Sequence, residues 1–176
     1  MMATAQAAGH TVVGAPEGAD VVVVNTCGFL SSACEEAIDN ILEMAELKKA
    51  GQIKKILVTG CMAQGYKDDV LNELPEVDGI LGTGSYTEIV PAIDKLLEGE
   101  NVSDFGSIDA PEQETGRILT TPEHYAYLKI AEGCDNRCSY CIIPYLRGKF
   151  RSRQLDDVLY EARLISAGGV KEIIVV

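Results

Sequence analysis

The chain has 176 residues, with 15 Lys and Arg against 27 Asp and Glu, for a formal net charge of −12 at neutral pH. So acidic a chain is a poor generic binder of nucleic acid, which needs basic patches, and is drawn instead to a basic protein partner. No run of about 18 apolar residues offers a membrane span. The opening MMATAQAAGH lacks the charged segment and long apolar core of a signal peptide. The sequence therefore reads as cytoplasmic, where clustered cysteines are more often metal ligands or redox groups than disulfides.

In chain order, a small-residue helix over 3–8 stops at Gly9 and leads into a short strand, HTVV, over 10–13. ADVVVVNTC (19–27) is a β-branched run expected as a strand buried on both faces. SSACEEAIDNILEMAELKKAG (31–51) is expected as a helix capped by Ser31 or Ser32, with Glu35 or Glu36 in its first turn and Gly51 as its stop. Its apolar stripe is Ala37, Ile38, Ile41, Leu42, Ala45 and Leu47. IKKILVTGC (53–61) is a second buried strand, and YKDDVLNELPEV (66–77) holds a short helix stopped by Pro75. VDGILGTG (77–84) and YTEIVPAIDKLLEGE (86–100) give a third strand and another helix. The order β-α-β-α-β-α predicts an α/β domain with a doubly wound parallel sheet over 1–103.

From 98 to 113 acids dominate, namely Glu98, Glu100, Asp104, Asp109 and Glu112, without a Lys or Arg. This stretch reads as a solvated acidic loop and places a linker over 104–122. A second unit is expected over 123–176: a strand in HYAYLKIAEG, a cysteine loop, a helix with Ser152 as cap and Gly168 and Gly169 as stop, and a strand in KEIIVV. That is one βαβ unit, the opening of a larger parallel barrel. Alone it covers neither its edges nor both its faces. Both ends read as cut, so the expectation is an internal piece of a longer protein.

Cys27 and Cys61 each end a buried strand. Strand C-termini of a parallel sheet share one edge, where ligand sites collect. Gly28 and Gly60 beside them allow close approach of a bulky ligand. The competing reading is a pair of buried core cysteines. A third ligand would belong to a strand before the first one seen here. Cys34, one turn into the following helix, reads as packing. Cys134, Cys138 and Cys141 lie in AEGCDNRCSYCIIPYLRG (131–148) with the spacing Cys-x3-Cys-x2-Cys. Three thiolates in one tight loop suit three corners of a cubic iron–sulfur cluster and leave one iron open for a substrate or cofactor. Zinc wants a fourth protein ligand, and His124 lies at the far end of a strand; zinc or an inert thiol cluster remain the competing readings. Tyr140 offers a flat ring beside the cluster, or simple core packing. Arg147, Lys149, Arg151 and Arg153 in RGKFRSR either screen a negative cluster and hold carboxylate or phosphate groups, or form a solvated basic turn.

The cysteine spacing with Tyr140 before the last cysteine resembles the radical S-adenosylmethionine (SAM) superfamily. NTCGF from Asn25, VTGCMAQ from Val58, YLKIAEGCDNRCSYCIIPYLRGKFRSR from Tyr127 and GVKEIIVV from Gly169 resemble, more narrowly, its methylthiotransferase family, over essentially the whole chain. The resemblance implies two 4Fe-4S clusters. Cys134, Cys138 and Cys141 match the ligands of the radical SAM cluster in a TIM-like barrel. That cluster binds SAM through its amino and carboxylate groups and cleaves it to a 5′-deoxyadenosyl radical, with Tyr140 near the adenine. Cys27 and Cys61 match the second and third ligands of an N-terminal cluster that carries the sulfur to be inserted.

The implied substrate is an aspartate of ribosomal protein S12, methylthiolated at its β-carbon; the alternative is a modified adenosine of tRNA. An electron donor such as flavodoxin or ferredoxin is implied as well. The family's first cysteine, in a Gly-Cys-x-Lys-Asn segment, has no counterpart here, nor do most of the barrel and the C-terminal β-domain. The chain by itself is therefore expected to be inactive, and the resemblance assigns no catalytic side chain. The acidic stretch is expected to set the separation of the two clusters.

Overall fold

Four short β-branched or aliphatic runs align in one parallel sheet. Strand β1 (Val21–Thr26) pairs with β2 (Lys55–Gly60), β2 with β3 (Gly79–Leu81), and β3 with β4 (Val102–Asp104), in that spatial order. The computed structural model describes residues 1–110 and 116–176. Side chains alternate across the sheet, as the two-residue period of a strand requires. Ile56, Val58 and Ile80 point to one face, and Leu57 and Leu81 to the other. The first face is covered by helices α2 (Ser31–Lys49) and α4 (Lys67–Glu73) through Ala37, Ile41, Ala45 and Val70. The second is covered by α1 (Met2–Ala7) and α5 (Ile89–Leu97) through Ala5, Ile89, Ala92, Ile93 and Leu96. Helices on both faces of a parallel sheet give the expected α/β layering.

Several local expectations change. Helix α2 has Leu30 at its N-cap position and no side-chain cap, so neither Ser31 nor Ser32 caps it. Its buried row is Ala37, Ile41 and Ala45, while Ile38 and Leu42 are exposed. A helix lying on a sheet buries one i, i+4 row, and the flanking positions turn to solvent. Residues 10–13 form no strand, and Val12 and Val13 are exposed. A one-turn helix, α3 (Cys61–Gly65), follows β2 directly.

The acidic stretch is more than a solvated loop. It supplies β4, which crosses the expected boundary at 103, and Asp104 accepts a hydrogen bond from the Ser85 hydroxyl at 2.5 Å. Asp109 accepts from the backbone N–H of Lys149 at 2.8 Å. Glu112 lies outside the described residues.

In the second unit, β5 (Tyr125–Leu128) and β8 (Glu172–Val175) pair in parallel. The intervening α7 (Leu155–Ala167) packs on them through Ile165, against Ala126 and Leu128. This is the βαβ unit the sequence predicts. An antiparallel rung joins β6 (Ala131–Glu132) to β7 (Arg151–Ser152) and brackets both the cysteine loop and a short helix, α6 (Ile143–Arg147). Ser152 is thus a strand residue, and Gln154 takes the N-cap of α7. Among the described residues, no helix is long and apolar enough to cross a membrane.

Candidate functional site

The β1–β2 register sets Thr26 opposite Gly60, so Cys27 and Cys61 leave the sheet side by side at its C-terminal edge. Thr26 donates its hydroxyl to the Thr59 carbonyl at 2.6 Å and pins that edge. Gly60 has φ of 101°, and a Cβ there would stand 2.3 Å from the Thr26 carbonyl oxygen; only glycine fits. A Cβ on Gly28 would meet the Cys61 backbone at 2.7 Å, which shows how tightly the two cysteine turns approach. Cys61 is buried and Cys27 half-buried. The Cys34 thiol donates to the Cys27 carbonyl at 3.2 Å, and burial, then the charges of Cys27 and Glu35, push that thiol's pKa up. A protonated thiol holding the Cys27 turn is a structural role, in line with the packing role read for Cys34.

On the other unit, the Cys134 N–H donates to the Gly148 carbonyl at 3.1 Å and the Cys141 N–H to the Cys138 carbonyl at 3.0 Å. The loop turns through Arg137, whose φ is 48°. Cys138 is exposed, Cys134 and Cys141 are half-buried, and all three thiols are free. Tyr140 is 90% exposed, so it serves no core. A shallow pocket of about 190 Å³ beside Cys134 is lined by Asp109, Asp135, Arg137, Gly148 and Lys149, among others.

The elements that follow the two sets of cysteines, α3 and α6, pack against each other. Leu146 on α6 is buried, with its side chain 2.8 Å from where a Cβ on Gly65 of α3 would stand. Its carbonyl accepts the Thr83 hydroxyl at 2.5 Å. The next residue, Arg147, donates its Nε–H to the Cys61 sulfur at 3.2 Å and its Nη1 to both Glu132 carboxylate oxygens at 3.1 Å. Burial by itself would lower the Arg147 pKa; the hydrogen bond and charge of Cys61, with those of Glu132, outweigh it and raise it. Burial likewise opposes ionisation of Glu132, yet Lys129 and Arg147 hold its carboxyl below the usual range. Tyr86, in the turn after β3, lies within the field of Arg147, Cys61 and Glu132, and burial pushes its phenol up.

Of the basic turn, Arg153 is instead paired with Glu161 at 2.5 Å, and Arg151 donates to the Lys149 carbonyl at 2.7 Å. These two serve the fold rather than an open anion site. Glu132 and Tyr86 were absent from the sequence reading. Glu132, two residues before Cys134, was open to notice as an acid flanking a thiol loop; Tyr86 carries no sequence signal, because only the chain's return after β3 brings it here.

Among the described residues, no three His, Cys, Asp or Glu side chains converge into a metal-binding group. The donor chemistry nonetheless fits an iron–sulfur cluster: three free thiols share one loop.

Residues 1–82 match the uncharacterized protein family UPF0004, and residues 128–176 the radical SAM superfamily. Curated proteins similar to the chain are named ribosomal protein uS12 methylthiotransferase RimO. The protein from Lachnoclostridium phytofermentans is 53% identical over 159 residues, which cover 90% of this chain and 36% of that relative. Those from Clostridioides difficile and Caldicellulosiruptor saccharolyticus are 46% and 49% identical over 177 residues, covering 100% and 99% of this chain and 40% of each relative. The chain thus spans 36 to 40% of the length of these relatives. The radical SAM match over residues 128–176 implies an iron–sulfur cluster and SAM.

Proposed function

We propose that the chain belongs to an enzyme that adds a methylthio group to the β-carbon of an aspartate in ribosomal protein S12. Residues 1–104, through β4, are its N-terminal domain, 105–122 the connector and 123–176 part of its radical SAM core. Cys134, Cys138 and Cys141 hold the 4Fe-4S cluster that binds SAM. Cys27 and Cys61 hold part of a second 4Fe-4S cluster. When bound, these groups supply the electron that cleaves SAM and the sulfur that is transferred. The exposed Tyr140 ring is free to close on the adenine. A cytoplasmic flavodoxin or ferredoxin is the proposed electron donor.

The observation that carries this reading is the α3–α6 contact. Helix α3 begins at Cys61, and α6 begins two residues after Cys141. Their packing brings the segments beside the two cysteine groups together, which supports a reaction that draws on both. The names of the similar proteins support the choice of substrate.

The test is a proteolytic digest of S12 after reaction with the anaerobically reconstituted full-length enzyme. A mass gain of one methylthio group on an aspartate peptide is expected. A gain on tRNA nucleosides with none on S12 would overturn the substrate. Iron counting tests the ligands: about eight irons per chain are expected, falling to about four in either Cys61→Ala or Cys138→Ala.

A further inference from the structure

A cation donates to a cysteine sulfur across the two units. Arg147 Nε lies 3.2 Å from Cys61 Sγ, although the residues stand 86 positions apart. The guanidinium is not a loose surface group. Its Nη1 is forked onto both oxygens of Glu132, which is itself paired with Lys129 at 2.7 Å. The backbone beneath it is fixed by buried Leu146, whose carbonyl is held by Thr83. With Nη1 held on the carboxylate and the backbone fixed at Leu146, the rigid guanidinium plane aims its Nε–H at the Cys61 sulfur.

We infer that Arg147 is a positioning residue for the N-terminal cluster: its guanidinium donates to the Cys61 ligand sulfur, raising that cluster's reduction potential, and ties it to the SAM-binding loop through α6. This rests on Cys61 being a cluster ligand. The physical reason is direct. A cationic donor at a ligand sulfur stabilises the more negative, reduced cluster more than the oxidised one, and hydrogen bonds to sulfur are among the determinants of cluster potential. Because Arg147 ends a helix that begins just after Cys141, the same contact fixes how the SAM loop sits against the sulfur-bearing cluster. Glu132 is what keeps the guanidinium from swinging out to solvent.

The experiment is an anaerobic redox titration, followed by electron paramagnetic resonance, of the reconstituted full-length enzyme and its Arg147→Met and Arg147→Lys variants. Variants with Cys134, Cys138 and Cys141 changed to Ala isolate the N-terminal signal. In Arg147→Met the N-terminal cluster should keep its iron but titrate at a lower potential, while the SAM cluster's potential stays where it was. In Arg147→Lys, which keeps the charge without the fork, the shift should be smaller. In the three-cluster-cysteine-intact enzyme, 5′-deoxyadenosine formed per methylthio product should rise several-fold in Arg147→Met. An unchanged N-terminal potential in both variants, with Cys61→Ala losing about four irons, would overturn the role of Arg147 and leave the ligand assignment standing. Full iron in Cys61→Ala would overturn that assignment, and this inference with it.

Discussion

At the scale of single residues, the site edge depends on positions where one atom decides. Gly60 has φ 101° and ψ −162°, a region essentially closed to other residues, with the Thr26 carbonyl against it. Gly60→Ala in the full-length protein should destabilise it by about 3 kcal/mol or more, through backbone strain and overlap, read as a lower denaturation midpoint. Asp78 accepts from Lys48, from Lys55 at 3.0 Å and from the Ile56 N–H at 2.9 Å. Burial opposes its ionisation, but these donors win and hold the carboxyl below the usual range. Asp78→Asn should cost about 2–3 kcal/mol. Glu132 and Glu161 are held low in the same way. A depressed carboxyl contributes stability that is complete above its unfolded value, near 4, and is lost as pH falls through the lower folded value. The melting temperature should therefore be flat above about pH 5 and fall steeply below about pH 4, with a shallower fall in Asp78→Asn.

At the scale of elements, long periodic segments were legible and short ones were not. The 19 residues of α2 and the valine run of β1 announce themselves by length and pattern. The five-residue helices α3 and α6 and the three-residue β4 carry too few residues for a period to show. They form because a neighbour receives them: Gly65 leaves a slot for Leu146, and β3 offers an edge to Val102. The stripe of α2 was read too wide for the same reason, since only contact with the sheet chooses among adjacent apolar positions. This gives a paired prediction. Ile41→Ala should cost about 2–5 kcal/mol, while Leu42→Ala, on the exposed side, should stay within about 1 kcal/mol. Equal losses in thermal denaturation would contradict the packing described for α2.

At the scale of the whole molecule, the two units are joined by a small docking surface rather than by the acidic stretch alone. Gly65→Val fills the slot of Leu146 and should raise hydrogen exchange of residues 143–148 about tenfold, the equivalent of 1.4 kcal/mol. Exchange in β1 to β3 should be unchanged. The sequence by itself determined the α/β layering, the strand-end positions of Cys27 and Cys61, and the single loop of Cys134, Cys138 and Cys141. Each of these is a local pattern: a run, a period or a spacing inside a few dozen residues. Only the tertiary structure decided that Arg147 reaches Cys61 rather than solvent, that Glu132 and Tyr86 join it, and that Arg153 is consumed by Glu161. Those choices depend on which of several nearby opposite charges a flexible side chain meets once its backbone is fixed. Distance in the fold settles that, and no spacing along the chain encodes it.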